Sequence, residues 1–342
     1  MRFKRLFFHD PAIISHRKDC FDLKYFDLHC DTLYECYEMQ KQLRENDLFI
    51  DRSKVGGYDE YVQFFALFCG ALPPEPIPGR RSLTSLPETE RLDAMLQTAR
   101  EQFLQNRDWL YQCFCAEDLQ NPERRGRAAA FLSIEGAELL STEQHLQRAY
   151  DAGVRMVTLS WNGANQYACG AAADNSAGLT ARGRALVHEL VRMGVIIDVS
   201  HLSDAGFWEV CVETEAPFVA SHSNSRTVCP HRRNLTDLQF QELIRRGGLV
   251  GINLYNNFLQ EDNRQAALTD AVRHIEHFCA LGGRDILAIG ADFDGCDSLP
   301  DGIETAADMA RLAEILLRLN YPQSTVDGLF YDNAAHFIHR ML

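Results

Sequence analysis

Residues 181–201 read ARGRALVHELVRMGVIIDVSH, and the pattern within them decides the fold. The first part has the periodicity of a helix and closes on Gly194, as helices commonly do. A short β-branched run follows directly and leads into His201. Helices that alternate with such runs predict a parallel sheet with helices outside it.

Runs of this strand type recur along the chain, and there are eight: KYFDLH, VQFFALFC, AAFLSI, VRMVTLS, VIIDVS, PFVAS, GLVGINL and ILAIGA. Eight parallel strands in a chain of 342 residues predict an α/β fold, a closed (β/α)8 TIM-like barrel, with a doubly wound open sheet as the competing arrangement. The barrel is favoured because polar residues follow the strands, and in a barrel those positions converge on one rim. We predict a single barrel domain over residues 1–342, in which residues 1–20 can form an N-terminal extension.

Charge and cysteine usage exclude several classes of partner. The net charge of −14 argues against nucleic acid or an anionic membrane surface, because both require clustered Lys and Arg. No apolar run approaches the length of a membrane span. The 11 cysteines are an odd number without CxxC pairs, which predicts reduced thiols. These features predict a cytoplasmic protein.

The first strand leads into FDLHCDTL, residues 26–33, which places a histidine and two aspartates within an apolar run. Side chains two apart on a strand point the same way, so His29 and Asp31 face together and Cys30 faces the opposite side. A buried imidazole and carboxylate are costly unless they are paired or bound to a cation. The pair therefore predicts either a metal site or a hydrogen bond that holds the strand end.

Three further residues of ligand type follow predicted strands, namely Glu135, His201 and His222. Five imidazole and carboxylate ligands without thiolate suit zinc or a similar divalent ion, and five exceed what one tetrahedral catalytic site uses. Two metal ions that share a carboxylate fit this number. Such pairs activate a water for attack on a carbonyl or phosphoryl centre, so hydrolysis is the predicted class of reaction.

Two more residues are candidates for handling the substrate. Asp292 follows the eighth strand and is suited to move a proton from water to a leaving group; the alternative is a turn aspartate that caps the next helix, which fits Asp294 better. Arg233 precedes a helix that Thr236 can cap, and both features favour a carboxylate ligand, with an ordinary exposed loop arginine as the alternative.

Five other histidines fall in helical patterns and are predicted to be structural: His188, His274, His277, His336 and His339. The chain has no GxSxG elbow, no P-loop and no GxGxxG after a strand. The common serine hydrolase, NTPase and dinucleotide-binding classes are therefore not indicated.

Seven motifs, in this order, carry a family resemblance: DLHCDTL, IEGAE, VSHLSD, SHSNSR, RRNLTD, NLYNNF and GADFDG. From about residue 26 to its end the chain resembles the membrane (renal) dipeptidase family of binuclear zinc metallopeptidases, which belong to the amidohydrolase-like barrels. The resemblance implies a dipeptidase that uses a hydroxide bridging two zinc ions, although other divalent metals would suit the same ligands. It also implies acceptance of a C-terminal D-residue and suggests a homodimer.

The resemblance assigns roles by motif position. One zinc would be held by His29 and Asp31, the other by His201 and His222, and Glu135 would bridge them. Asp292 would handle the proton, while Arg233 would receive the free carboxylate of the dipeptide and Tyr255 would contact the same end. Without a signal peptide or lipid-anchor tail, the chain is expected to be a soluble, microbial-type member.

One position departs from the family pattern. The mammalian enzymes have a histidine after the fourth strand that contacts the scissile carbonyl, whereas this chain has Trp161. An indole cannot act as an acceptor or as a charged donor, so Asn162 or Asn165 would assume that role, or the metals would suffice. Two alternative functions follow: another amidohydrolase-like activity on N-acyl amino acids, lactones or cyclic amides, and a catalytically silent metal- or peptide-binding barrel.

Overall fold

Eight parallel strands close into a barrel in the computed structural model, which describes residues 23–71, 79–261 and 264–342. Each strand pairs with the next, and the last pairs with the first: β1 Lys24–Cys30, β2 Glu60–Phe68, β4 Ala128–Glu135, β5 Val154–Thr158, β6 Ile196–Asp198, β7 Val219–Ala220, β8 Leu249–Ile252 and β9 Leu287–Ile289. All eight coincide with the predicted runs, so the predicted fold class is confirmed. The proposed extension at residues 1–20 lies outside the described residues.

One short strand outside the barrel, β3 Leu110–Gln112, was not predicted. It pairs with Ala128–Ala130 on β4, before the point at which β5 joins β4 at Leu132. It is short and occupies an edge of β4 that no barrel strand uses.

Helices surround the barrel: α1 Thr32–Met39, α2 Arg52–Val55, α3 Glu88–Gln105, α4 His145–Asp151, α5 Ala181–Met193, α6 Asp204–Glu213, α7 Asp237–Arg246, α8 Asn256–Leu259, α9 Leu268–Ala280, α10 Ala310–Arg318, α11 Gln323–Asp327 and α12 Asn333–Met341. Thr236 caps α7 as predicted, since its hydroxyl accepts from the backbone N–H of Gln239 at 3.2 Å. No helix of the described residues combines the length and apolar character that crossing a membrane requires.

The core has two layers. One cluster packs within the barrel and includes Phe26, Phe64 and Phe131, whose rings stack on one another. Phe337 and Ile338 of α12 belong to the same cluster. The second, larger cluster lies between the strands and the helices. The barrel interior is thus filled with side chains, and the carboxyl ends of the strands are left for chemistry.

An irregularity in β1 aims its histidine at the rim. Phe26 and Leu28 pack inside the barrel, so strict alternation would turn His29 outward. The pairing of β1 with β2 shifts register between Asp27 and Cys30, which changes the side that the following residues face. His29 then points toward the rim, as Asp31 does, while Cys30 packs in the outer layer.

Candidate metal centre

Six buried histidine and carboxylate side chains meet at the carboxyl ends of five strands. Among the described residues they form three overlapping groups in which the ligand atoms lie within 4.8 Å of one another: His29–Asp31–Glu135, Glu135–His201–His222 and His29–His222–Asp292. Glu135 belongs to two of these groups. The six residues are those that the strand-end pattern predicted, and the structure brings all of them together.

The first group has ligand atoms without partners. Nε2 of His29 lies 3.5 Å from Oδ2 of Asp31 and 3.5 Å from Oε2 of Glu135. Nε2 of His29, Oδ1 of Asp31 and Oε2 of Glu135 are buried and make no hydrogen bond within the described chain. Such atoms are costly in a protein interior, and a shared divalent cation would satisfy all three.

The second group is held in a ligand-ready state. Nδ1 of His201 lies 2.9 Å from Oδ1 of Asn162, which can only accept, so Nδ1 carries the proton. Burial, with the nearby Arg233 acting in the same direction, lowers the pKa of His201 to about 4, so its Nε2 presents a lone pair at neutral pH. That atom lies 2.8 Å from Nε2 of His222 and 2.9 Å from Oε1 of Glu135. These converging acceptors fit a cation between them.

The charges of the carboxylates in the cluster also favour a bound cation. Burial and the neighbouring Glu135 hold the pKa of Asp31 well above its usual range, and burial raises the pKa of Asp292 to about 6. Burial opposes the ionisation of Glu135 too, but His29 and His201 outweigh it and hold the pKa of Glu135 low. Three buried carboxylates at one rim make a site that favours positive charge.

The backbone of two site residues lies in the left-handed region. His201 has φ 66° and Asp292 has φ 65°, although neither is glycine. Such conformations cost on the order of 1 to 3 kcal/mol each and occur mainly where function requires an unusual side-chain direction. Both residues come shortly after a strand has ended, where the chain turns across the rim.

Two further residues, Asn253 and Gly295, support the carboxylates. Asn253, which follows β8, donates from Nδ2 to Oδ2 of Asp292 at 2.9 Å. A Cβ at Gly295 would lie 2.2 Å from Oδ2 of Asp31 and 2.4 Å from Oδ1 of Asp292, so a side chain at this position would displace both carboxylates. The motifs NLYNNF and GADFDG contain these two residues, but their contacts with Asp292 and Asp31 join segments that are separate in the sequence.

Arg233 lies buried beside the cluster rather than exposed in a loop. Its guanidinium packs over Phe258 at 5.3 Å from the ring centroid, and Nε makes no hydrogen bond within the described chain. Burial lowers its pKa to about 10, with Asp292 and Glu135 acting in the opposite direction. A buried guanidinium with unused donors favours an anionic ligand.

The other predicted substrate residues are half-buried. The hydroxyl of Tyr255 accepts from Nδ2 of Asn257 at 2.7 Å. The Trp161 ring packs edge-on against Phe68 at 5.1 Å and lies 6.1 Å from the ring of His201. The side chain of Asn162 contacts the distal nitrogen of His201, as described above.

Asp294 does not cap a following helix, as the sequence had indicated. Its Oδ1 accepts from the backbone N–H of Phe49 at 2.8 Å, and its Oδ2 accepts from the hydroxyl of Thr32 at 2.5 Å. The carboxylate therefore ties the turn after β9 to the segments that follow β1. The physical reason is that no helix begins directly after this turn.

The five helical histidines lie outside the cluster, as predicted. His188 pairs with Glu213 at 2.9 Å, and His277 pairs with Asp237 at 2.8 Å. His336 and His339 are exposed on α12. His274 is fully buried on α9, where Nδ1 accepts from the backbone of Ser225 at 3.0 Å.

His274 gives the protein a pH-dependent stability. Its Nδ1 accepts and its Nε2 lies 3.0 Å from the carbonyl of Leu259, which requires the neutral imidazole. Burial lowers its pKa to about 4. The unfolded chain binds a proton near pH 6.5, so the stability is present above that pH and is lost as the pH falls toward 4, by roughly 3 kcal/mol in total.

Urea unfolding at pH 7.0 and pH 4.5 measures this effect. We expect wild type to lose more free energy of unfolding between the two pH values than His274→Gln, which cannot take up the proton. An equal loss in both proteins would contradict the assignment.

Taken with the barrel, the cluster defines a class: a metal-dependent hydrolase barrel of the amidohydrolase type, with its candidate ligands at the carboxyl ends of the strands. The family model for membrane dipeptidase, peptidase family M19, matches residues 18–341. The chain belongs to this family. The predicted resemblance is confirmed, as is the predicted enzyme class, a zinc-dependent, membrane-dipeptidase-like hydrolase.

Relatives and solved structures agree with the family. An uncharacterized protein of the pqqA 5′ region of Klebsiella pneumoniae is 37% identical over 231 residues, which are 65% of this chain and 85% of that protein. An uncharacterized dipeptidase of Schizosaccharomyces pombe is 32% identical over 223 residues, covering 63% of this chain but only 54% of its own length. A metallopeptidase structure from Rhodobacter sphaeroides, liganded with a phosphinate mimic of the dipeptide L-Ala-D-Ala, has a TM-score of 0.81 and 25% identity over 94% of this chain and 100% of that chain.

Proposed function

We propose that this chain hydrolyses dipeptides, including those with a C-terminal D-residue. The observation that carries the proposal is Glu135, whose carboxylate is shared by two buried ligand groups at one rim, beside the buried guanidinium of Arg233. The phosphinate dipeptide mimic bound by the Rhodobacter sphaeroides enzyme supports an L-Ala-D-Ala type of substrate.

Two zinc ions, or other divalent ions, are the proposed cofactors. His29 and Asp31 would hold one, His201 and His222 the other, and Glu135 both. The unpartnered ligand atoms and the imidazole–carboxylate donor set fit such ions. When bound, the ions would polarise the scissile carbonyl and lower the pKa of water.

The remaining chemistry falls to side chains of the rim. Asp292 is proposed to carry the proton to the leaving amine, because Asn253 holds its Oδ2 and Oδ1 is directed toward the cluster, 3.8 Å from Nε2 of His29. Arg233 would bind the free carboxylate of the dipeptide, and Tyr255 would line the same end.

Of the two asparagines that could replace the family histidine, only Asn162 has a donor that is free within the described chain. Asn165 is engaged at both ends, since Nδ2 donates to the carbonyl of Leu159 at 3.0 Å and Oδ1 accepts from the backbone of Tyr167 at 2.7 Å. Asn162 uses Oδ1 for His201, which leaves its Nδ2 as the donor we assign to the substrate carbonyl. Trp161 would then form an apolar wall beside it.

Hydrolysis assays on the zinc-loaded protein test the proposal. The panel contains L-Ala-D-Ala, L,L dipeptides, the same dipeptides as C-terminal amides, and N-acyl amino acids, lactones and cyclic amides. Turnover of free-carboxylate dipeptides supports the proposal. Turnover of only the acylated or cyclic substrates would favour another amidohydrolase-like activity, and binding of metal and dipeptide without turnover would favour a silent barrel.

Arg233→Met should raise KM for dipeptides by roughly 10- to 150-fold with little change in kcat, because a charge-assisted hydrogen bond contributes about 1.5 to 3 kcal/mol. Methionine keeps the contact with Phe258. The control is the C-terminal amide, which lacks the charge and should lose little between the two proteins. An unchanged preference for the free carboxylate in the variant would reject this role.

The proposal also covers the setting of the enzyme. The ten described cysteines are all free, which is consistent with a reducing, cytoplasmic compartment. We further propose that the chain acts as one barrel domain and assembles as a homodimer. Size-exclusion chromatography with light scattering measures the latter.

A further inference from the structure

Behind His222 lies a buried chain of hydrogen bonds that leads away from the ligand cluster. Nδ1 of His222 lies 2.7 Å from the hydroxyl of Ser221, and that hydroxyl lies 2.6 Å from Oδ2 of Asp198. Asp198, Ser221 and His222 are all fully buried. Because water does not reach these hydrogen bonds, the direction of each one follows from the donors and acceptors of the three residues and their neighbours.

Asp198 fixes the direction at its end of the chain. Its Oδ1 accepts from the backbone N–H of Ser200 at 3.0 Å and of Ser221 at 2.9 Å. Its Oδ2 accepts from the hydroxyl of Thr158 at 2.7 Å and from that of Ser221. Four donors fill the acceptor capacity of a carboxylate.

Ser221 has one proton and three neighbours. The carboxylate of Asp198 is the strongest and nearest acceptor, while the hydroxyl of Ser200 lies farther away at 3.3 Å. With its proton given to Asp198, the Ser221 oxygen can only accept from His222. Nδ1 of His222 must then carry the proton, and Nε2 presents its lone pair to Glu135 and His201.

We propose that Asp198 and Ser221 are positioning residues that set the tautomer of His222 and so prepare the second metal site. The proposal rests on the proposed function, in which Glu135, His201 and His222 hold a metal ion. Outer partners of metal-bound histidines commonly contribute about 10- to 100-fold to metal affinity. Here the hydroxyl of Ser221 lies between the carboxylate of Asp198 and the imidazole of His222.

Asp198→Asn should reverse the direction of these hydrogen bonds with almost no change in the shape of the side chain. The asparagine oxygen must occupy the Oδ1 position, because two backbone N–H groups donate there. Its NH₂ group then faces the Ser221 hydroxyl and donates to it, so that Ser221 gives its own proton to Nδ1 of His222. The imidazole then carries its hydrogen on Nε2, and a metal ion can bind there only after this tautomer is reversed, which weakens the site; the same substitution in a catalytic triad misplaces the histidine proton in this way.

Two measurements on the full-length chain, neither of which uses substrate, test the proposal. Calorimetric binding isotherms with Zn²⁺ should show two sites in wild type and a loss of about 10- to 100-fold in affinity at one site in Asp198→Asn. Nitrogen-15 NMR of the imidazoles in the metal-free protein should show His222 protonated at Nδ1 in wild type and at Nε2 in the variant. Thr158→Val removes a different donor to Asp198 and should preserve both results.

Ser221→Ala provides a second variant in case Asp198→Asn does not fold. It removes the acceptor for Nδ1 and should weaken one zinc site while leaving the other. Two sites of wild-type affinity in either folded variant, or an unchanged His222 tautomer in Asp198→Asn, would overturn the proposal. Because no substrate is involved, these outcomes are independent of whether wild type hydrolyses dipeptides.

Discussion

Glu135→Gln should remove both metal ions and with them all measurable hydrolysis. Glu135 is the carboxylate shared by the His29–Asp31 group and the His201–His222 group, with Oε1 2.9 Å from His201 and Oε2 3.5 Å from His29. Glutamine keeps the volume but replaces one charged oxygen by an NH₂ donor, which cannot ligate. Outer partners alone are worth about 10- to 100-fold in affinity, so we expect a loss of more than about 100-fold at each site.

Metal content after dialysis and dipeptidase assay measure this result together. Glu38→Gln is the matched control, since Glu38 is another buried glutamate, paired with Arg80 at 2.9 Å and outside the cluster. That control should keep two metals per chain. Two metals bound to Glu135→Gln would show that Glu135 is not a shared ligand and would require a different site.

The sequence predicted the fold because strands buried on both faces are continuous apolar runs that composition alone makes visible. Each of the eight runs became a barrel strand. The strand Leu110–Gln112 was not predicted, because three residues are too few to show a periodicity. Its formation depends on a free edge of β4, which exists only once the barrel has closed and cannot be recognised from a short stretch of sequence.

The candidate ligands were predictable for a related reason. Histidine and carboxylate are rare in buried strand ends, so His29 and Glu135 stand out in apolar sequence. The residues that support other members of the cluster do not stand out, because Asp198, Asn253 and Gly295 act on His222, Asp292 and Asp31 through contacts that depend on the folded chain. The aim of His29 likewise depends on a register shift between two strands that alternation does not reveal.

Asp292→Asn should lower kcat by about 10²- to 10⁴-fold while both metal ions remain bound, since general acid–base catalysis contributes this much. Asparagine tolerates the left-handed backbone that Asp292 adopts at φ 65°, so the fold should be unaffected. Its amide keeps the size of the side chain but cannot take a proton from water and pass it to the leaving amine.

Asp294→Asn is the matched control, because Asp294 lies two residues away with φ 66° and uses its carboxylate only for Thr32 and Phe49 among the described residues. It should keep activity within about tenfold, because its amide oxygen can still accept from the backbone of Phe49 and its side chain belongs to none of the ligand groups. Metal content separates the two roles open to Asp292, which also forms a ligand group with His29 and His222. Loss of a metal ion in Asp292→Asn would make Asp292 a ligand, whereas loss of turnover with both ions retained would make it the proton carrier, because only the second role leaves the metal site complete.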